Sequence, residues 1–278
     1  MTYASFLLRF LFMPIVLLLL ISLWDRRRGR ALPEPLRGYP ARVAITAHVI
    51  VALLYTTPWD NYLVATQVWW YNPALVIGWT IGWVPIEEYT FFVVQSILTG
   101  LALLALARRC PVEPRPAGAF RSARWIMTGV LGGFWLGAVI VLCSGWQPGR
   151  YLAIQGAWAL LPLTTQAAFG GDILWRHRRL VLVTLATMTL YLSLTDSLAI
   201  AAGTWTVNPS QSLVILLGGV LPLEELTFFL VTNMLLILGM TLLLARESQE
   251  RFPAALRQRF PWLLPGERAH PQPDGRAP

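Results

Sequence analysis

The sequence predicts an all-α, polytopic membrane protein with seven transmembrane helices, arranged as two parallel three-helix repeats joined by an extra helix. Three observations lead there. The 278 residues are 56% hydrophobic and only 13% charged, with a mean hydropathy of +0.56, whereas soluble domains carry about 25% charged residues. Apolar runs near 4–24, 42–57, 74–107, 125–143, 151–171, 180–200 and 210–245 are each close to or beyond the roughly 20 residues that cross a bilayer. The run 42–57 is short and is expected to extend into its flanks. Finally, an acidic motif set in hydrocarbon occurs twice, as Pro85-Ile86-Glu87-Glu88-Tyr89-Thr90-Phe91-Phe92 and as Pro222-Leu223-Glu224-Glu225-Leu226-Thr227-Phe228-Phe229. Carboxyl groups are costly at membrane depth and usually functional there.

The charges fix the expected orientation. All 22 basic residues are Arg, and the formal net charge is +8. Arg26, Arg27, Arg28, Arg30, Arg37 and Arg42 follow the first run, and Arg108, Arg109, Arg115, Arg121 and Arg124 follow the third. Arg176, Arg178 and Arg179 mark another basic loop, and the tail from Arg246 adds Arg251, Arg257, Arg259, Arg268 and Arg276. The intervening loops 58–73, 144–150 and 201–209 hold only Arg150. Basic loops stay on the cytoplasmic side, so the N-terminus is expected outside and the C-terminus inside, in a multi-pass plasma-membrane protein. The positive balance is then topological, and no nucleic-acid partner is expected. The first run lacks a preceding basic region and a small-residue cleavage site, which argues against a signal peptide. Cys110 and Cys143 fall on opposite sides of the membrane in this topology, too far apart for a disulfide. The Arg- and Pro-rich tail with Phe260-Pro261-Trp262 is expected to touch lipid at the inner face.

Internal repetition organises the chain. Asp60 precedes Asn72 by twelve residues, and Asp196 precedes Asn208 by twelve; Trp69-Trp70-Tyr71-Asn72-Pro73 and Trp205-Thr206-Val207-Asn208-Pro209 each lead into an acidic motif. A weaker match pairs Tyr3, Pro14 and Trp24 with Tyr151, Pro162 and Trp175. The expected division is a first repeat at 1–107, a linker with one transmembrane helix at 108–150, a second repeat at 151–245 and a cytoplasmic tail at 246–278. Four spans precede the second copy, so both copies start on the same side, as parallel repeats about an axis along the membrane normal.

Glu87 and Glu224 lie roughly 14 residues inside their runs, about 20 Å from the outer start and near mid-bilayer if the segment is a straight helix. A straight helix over 210–245 would be roughly 54 Å long and overshoot the membrane, so a break is expected at Gly78, Gly82 and Pro85, and at Gly218, Gly219 and Pro222. Proline at the first helical position would put each Glu pair in a first turn, where free N–H groups favour a carboxylate. Glu87 with Phe91, Glu88 with Phe92, Glu224 with Phe228 and Glu225 with Phe229 are spaced four apart and share a helix side. Protonatable oxygens beside aromatic faces suit a reaction that protonates an apolar substrate and shelters the resulting cation. Trp69, Trp70, Trp83 and Trp205 can enlarge that surface, although interfacial Trp belts are common.

The twin P-x-E-E motifs, the preceding Asp and the W-x-x-N-P segments resemble the small membrane-embedded lycopene cyclase domain, which occurs as two subunits or as a fused tandem. The resemblance covers about 3–107 and 151–245. It implies the fused form without an attached synthase, with Glu87, Glu88, Glu224 and Glu225 catalytic and Asp60, Asn72, Asp196 and Asn208 accessory. Phe91, Phe92, Phe228 and Phe229 would stabilise a cation or line the substrate. The implied reaction is a redox-neutral isomerisation in which the ends of lycopene close to beta-ionone rings, giving gamma- and then beta-carotene. An alkene is a very weak base, so its acid must be held protonated in a water-poor pocket; apolar surroundings and an adjacent Glu both disfavour the charged form. Neighbouring residues on a helix point about 100° apart, so the working pair is as readily cross-repeat as within one motif. The implied partners are lycopene and membrane lipids, with room for association with other carotenoid-pathway enzymes.

Absent motifs narrow the classes. No G-x-G-x-x-G follows a strand-like run, so no flavin site is expected; His48, His177 and His270 include no H-x-x-x-H pair for a di-iron centre. No D-D-x-x-D cluster is present, and the lack of Lys excludes a retinal Schiff base. No cofactor or metal is expected. The alternatives are a cyclase acting on C50 carotenoids or forming epsilon rings, and a proton-coupled transporter, which intramembrane acids and broken helices would also suit.

Overall fold

The computed structural model describes residues 1–110 and 120–251; Arg115, the Arg residues beyond 251 and Phe260-Pro261-Trp262 lie outside the described residues. The fold is helical. Helix α1 (Tyr3–Leu7) continues through a π-helical turn at Leu8–Phe12 into α2 (Met13–Arg27), and α3 spans Ala41–Ala65. Strand β1 (Trp69–Tyr71) and the two-residue strands β2 (Thr80–Ile81) and β3 (Val84–Pro85) precede α4 (Ile86–Ala107). Helices α5 (Arg121–Ser144), α6 (Arg150–Arg176) and α7 (Arg178–Ala201) follow. Strands β4 (Trp205–Val207), β5 (Leu216–Leu217) and β6 (Leu221–Pro222) then lead to α8 (Leu223–Leu244) and a short α9 (Arg246–Glu250). The order helix, helix, strand, hairpin, helix thus occurs twice.

Among the described residues, six helical segments are long and apolar enough to cross a membrane: Tyr3–Arg27, Ala41–Ala65, Ile86–Ala107, Arg121–Ser144, Arg178–Ala201 and Leu223–Leu244. This is a multi-pass membrane protein. The run expected as a seventh span folds as the 27-residue helix α6, which is not among these six. Gln155, Gln166, Thr164, Thr165 and Asp172 make it less apolar than the other six. The short run at 42–57 extends in both directions, through Pro58, to a 25-residue helix.

The runs 74–107 and 210–245 correct the sequence reading. Their α-helices begin only at Ile86 and at Leu223, after a single 3-10 turn at Pro209–Gln211 in the second run. The first parts fold back as turns and small hairpins, with Thr80 opposite Pro85 and Leu216 opposite Pro222. Positive φ at Gly78, Gly82, Gly218 and Gly219 allows these reversals, since only glycine takes that region at no steric cost. The breaks expected at these glycines and prolines therefore occur, but as hairpins rather than kinks. Pro85 and Pro222 are N-cap residues in extended conformation rather than the first helical residues. The estimate of depth fails for the same reason. Each Glu pair sits in the first turn of a 22-residue helix that is itself about 33 Å long, so the acids lie near one end of the bundle.

Helices α4 and α8 form the buried centre, each packing on the other and on two helices of its own half. Polar bridges join them: Gln95 Nε2 donates to Thr232 Oγ1 at 3.3 Å, and Thr99 Oγ1 donates to Asn233 Oδ1 at 3.0 Å. Gln95 and Thr232 hold the same place in their halves, seven residues after Glu88 and Glu225. At the acidic end, β1 pairs antiparallel with β4, Trp70 opposite Thr206, and ties the halves together. The other end carries most of the described Arg residues, Arg150 and Arg9 excepted. There the fully buried Asp25 receives both terminal nitrogens of Arg109 at 2.9 Å, with Arg30 and Arg108 nearby. Helix α5 buries none of its residues and packs chiefly on α6.

Candidate active site

The site forms where the N-terminal turns of α4 and α8 meet the last turns of α3 and α7. In each Glu pair the two residues face different ways. The first member holds the hairpin: Ile77 N–H donates to Glu87 Oε1 at 2.6 Å, and Leu213 N–H donates to Glu224 Oε1 at 2.7 Å. The second member turns inward. Tyr3 OH and Tyr71 OH both donate to Glu88 Oε2, the latter at 3.0 Å, and Tyr151 OH donates to Glu225 Oε1 at 2.8 Å.

Glu88 and Glu225, one from each half, line a single chamber of about 40 Å³ together with Asp196, Phe91, Phe228 and Phe229. Tyr3, Phe6, Tyr71, Tyr151, Trp69 and Trp205 complete its wall. Asp60 is buried just outside, with neither carboxylate oxygen bonded to protein, while Asp196 accepts a 3.0 Å bond from the Trp205 indole through Oδ1. Glu87 Oε2 and Glu224 Oε2 are likewise buried without protein partners. Carboxyl groups desolvated to this degree are expensive when unpaired, and inside a membrane they usually mark a functional site. Tyr71 lies on β1, outside the helices. Burial foremost, then the charges of Asp60 and Glu88, push its hydroxyl well above its ordinary pKa, so it serves Glu88 as a donor.

The aromatic rings are divided differently from the four-residue spacing. Glu88 shares the chamber with Phe91, three residues on, and Phe92 faces away into a larger apolar cavity. Phe228 lines both spaces, and its ring lies parallel to Trp59 at 5.9 Å. Asn72 and Asn208 lie outside the chamber and shape turns, accepting from Ala74 N–H and Ser210 N–H at 3.0 Å. The tyrosines were not assigned to the site from sequence. The repeat pairing of Tyr3 with Tyr151 was the signal for two of them, since equivalent residues in the two halves meet equivalent acids.

These features define a class: a multi-pass helical membrane protein that holds carboxyl groups from two similar halves in one aromatic-walled chamber. The chain is 39% identical to proteins named lycopene beta-cyclase from two strains of Halobacterium salinarum, over 219 residues that cover 79% of this chain and 85% of theirs. It therefore belongs to the lycopene cyclase family. It is also 35% identical to a bifunctional lycopene cyclase/phytoene synthase of Podospora anserina over 199 residues, 69% of this chain and 33% of that protein. The corresponding Aspergillus oryzae protein is 34% identical over 197 residues, 70% of this chain and 33% of its own length. No protein-family model matches the chain, and no solved structure matches it.

Proposed function

We propose that this protein is a lycopene beta-cyclase that closes the linear ends of lycopene into beta-ionone rings, through gamma-carotene to beta-carotene, without cofactor or metal. The observation that carries this reading is the shared chamber: Glu88 and Glu225, from opposite halves, face one small aromatic-walled space.

In the proposed reaction one of these two carboxyls donates its proton to C2 of the terminal C1=C2 bond, leaving a tertiary cation at C1. The C5=C6 π bond attacks C1, forming the C1–C6 bond and moving the cation to C5. Loss of the C6 proton to a carboxylate forms the C5=C6 bond of the ring. One proton enters and one leaves, and no electron is exchanged. The faces of Phe91, Phe228 and Phe229 attract the passing cation. Tyr3, Tyr71 and Tyr151 orient the working carboxyls, and Asp60 and Asp196 are accessory acids beside them. Glu87 and Glu224 act by positioning, through the hairpins they hold. Asn72 and Asn208 act one step further out, through their turns.

Within this reading 1–107 and 151–245 are the two cyclase repeats about a common axis, 108–150 carries the linking span, and 246–278 is the inner tail. The Arg-bearing end faces the cytoplasm, which puts the chamber toward the outer leaflet. Lycopene and bilayer lipids are the partners. The mostly apolar lining of the adjoining cavity supports a lipophilic substrate over a polar permeation path.

The test is pigment analysis of lycopene-accumulating bacterial cells that express this chain, beside empty-vector cells and a variant with Gln at all four Glu positions. Gamma- or beta-carotene should form only with the intact protein. Unchanged lycopene, with the protein confirmed in membranes, would overturn the proposal.

A further inference from the structure

A cavity of about 610 Å³ lies between α3, α4, α6 and α8, next to the acid chamber. It is lined along α8 from Phe228 to Leu243, roughly 22 Å at 1.5 Å per residue. Its boundary with the chamber is the ring of Phe228, backed by Trp59, which stacks in turn on Trp158 at 4.4 Å. The chamber alone has room for little more than ordered water. Phe228 is the residue that lines both spaces, so a terminal isoprenoid unit lying in the larger cavity reaches Glu88 and Glu225 once that ring moves aside.

The cavity opens sideways. Helices α3 and α6 scarcely touch, and Val51, Tyr55 and Thr165, which line the cavity between them, are exposed on the bundle surface, Val51 by 59%. A bar crosses the gap near its acidic end: Tyr55 OH donates to the Trp158 carbonyl at 2.8 Å, and the two rings stack at 5.5 Å.

The other half repeats the bar. Tyr191 OH donates to the Phe10 carbonyl at 2.8 Å, across α7 and the π-helical turn. Tyr55 and Tyr191 each stand five residues before the accessory Asp, and Trp158 and Phe10 each stand seven residues after the Tyr that serves a Glu. Yet this second gap is filled. Met188 and Leu192 occupy the places that Ala52 and Thr56 hold on the open side, and Ala102 stands where the open side has Gly239. All three are buried in one apolar cluster with Leu11, Ile15 and Leu98. A Cβ on Gly239 would overlap the His48 ring, so glycine keeps that part of the cavity free.

We infer that the linear polyene enters from the hydrocarbon of the bilayer through the gap between α3 and α6, beneath the Tyr55 bar, and lies along this cavity. Its end displaces Phe228 into contact with Glu88 and Glu225, while the sister gap between α2 and α7 stays shut. The inference rests on the cyclase reading above. It deepens that reading by assigning one mouth to a chain built from two similar halves.

The test uses a matched pair of surface substitutions, so that folding is disturbed little on either side. Val51→Trp narrows the open mouth; Thr187→Trp makes the same change at the equivalent exposed position of α7. Each full-length variant is purified, returned to liposomes containing lycopene and compared with the parent for initial rate, after matched recovery and melting temperature are confirmed. Val51→Trp should slow ring formation at least ten-fold, and Thr187→Trp should stay within two-fold of the parent. Equal loss in both variants, or no loss in either, would sink the single mouth while leaving the cyclase reading standing. A parent protein inert toward lycopene would instead remove the cyclase reading, and this inference with it.

Discussion

Glu88 and Glu87 are neighbours with different work, because a helix turns about 100° per residue. Glu88 meets two tyrosine hydroxyls, while Glu87 meets the Ile77 N–H; Glu225 and Glu224 divide the same way. Gln at position 87 keeps a carbonyl oxygen for the N–H and loses only the charge assistance, roughly 1 kcal/mol. In the proposed reaction Glu88→Gln and Glu225→Gln remove the group that carries the proton, a role worth about 10²–10⁴-fold. Initial cyclisation rates in membranes should therefore fall by about that factor in Glu88→Gln and Glu225→Gln. They should fall by less than about ten-fold in Glu87→Gln and Glu224→Gln. Equal losses at all four positions would return Glu87 and Glu224 to the chemistry. The acids were legible in sequence because carboxyl groups within apolar runs stand out. Tyr3 was not, because a tyrosine at the start of a span looks like an interfacial anchor; its contact with Glu88, 85 residues away, exists only in three dimensions.

At the scale of elements, an apolar run reveals that a segment meets lipid but not whether it is helix or hairpin. Ile77, Trp79, Ile81 and Trp83 read as the opening of a span, yet they lie exposed on or beside the first hairpin. Asn61 holds it there: its Oδ1 accepts from Trp83 N–H at 2.8 Å, and its Nδ2 donates to Tyr89 OH at 2.9 Å. The second half has Ser197 and Leu226 at these places, so its hairpin lacks this latch and relies on two consecutive glycines of positive φ. The difference between Asn61 and Ser197 was visible in sequence, but its consequence was not. The opposite end is held by charge. Asp25 on α2, fully buried, is forked by Arg109 just beyond α4. Asp25→Ala leaves the guanidinium without its partner and should lower stability by on the order of 3 kcal/mol. A clear fall in detergent melting temperature would be expected, whereas an unchanged one would show the pair to be dispensable.

Across the whole molecule, two halves share one order of elements and differ in their surfaces. The order of elements, the antiparallel β1–β4 clasp and the Gln95–Thr232 bridge keep the likeness. Met188 against Ala52 and Leu192 against Thr56 break it. The matched motifs were legible in sequence because they stand in the same order in both halves; the cavity was not, because a void is a property of how four helices fail to fill space. A mouth that faces acyl chains also changes what counts as concentration. The proposed cyclase then samples the mole fraction of polyene in the bilayer, not the amount per volume of suspension. At fixed protein and lycopene, doubling the phospholipid in a reconstituted system should roughly halve an unsaturated rate. Diluting the whole suspension with buffer should leave the rate per enzyme unchanged. Access from the aqueous side would reverse that pattern, so plain dilution series can report which phase supplies the substrate.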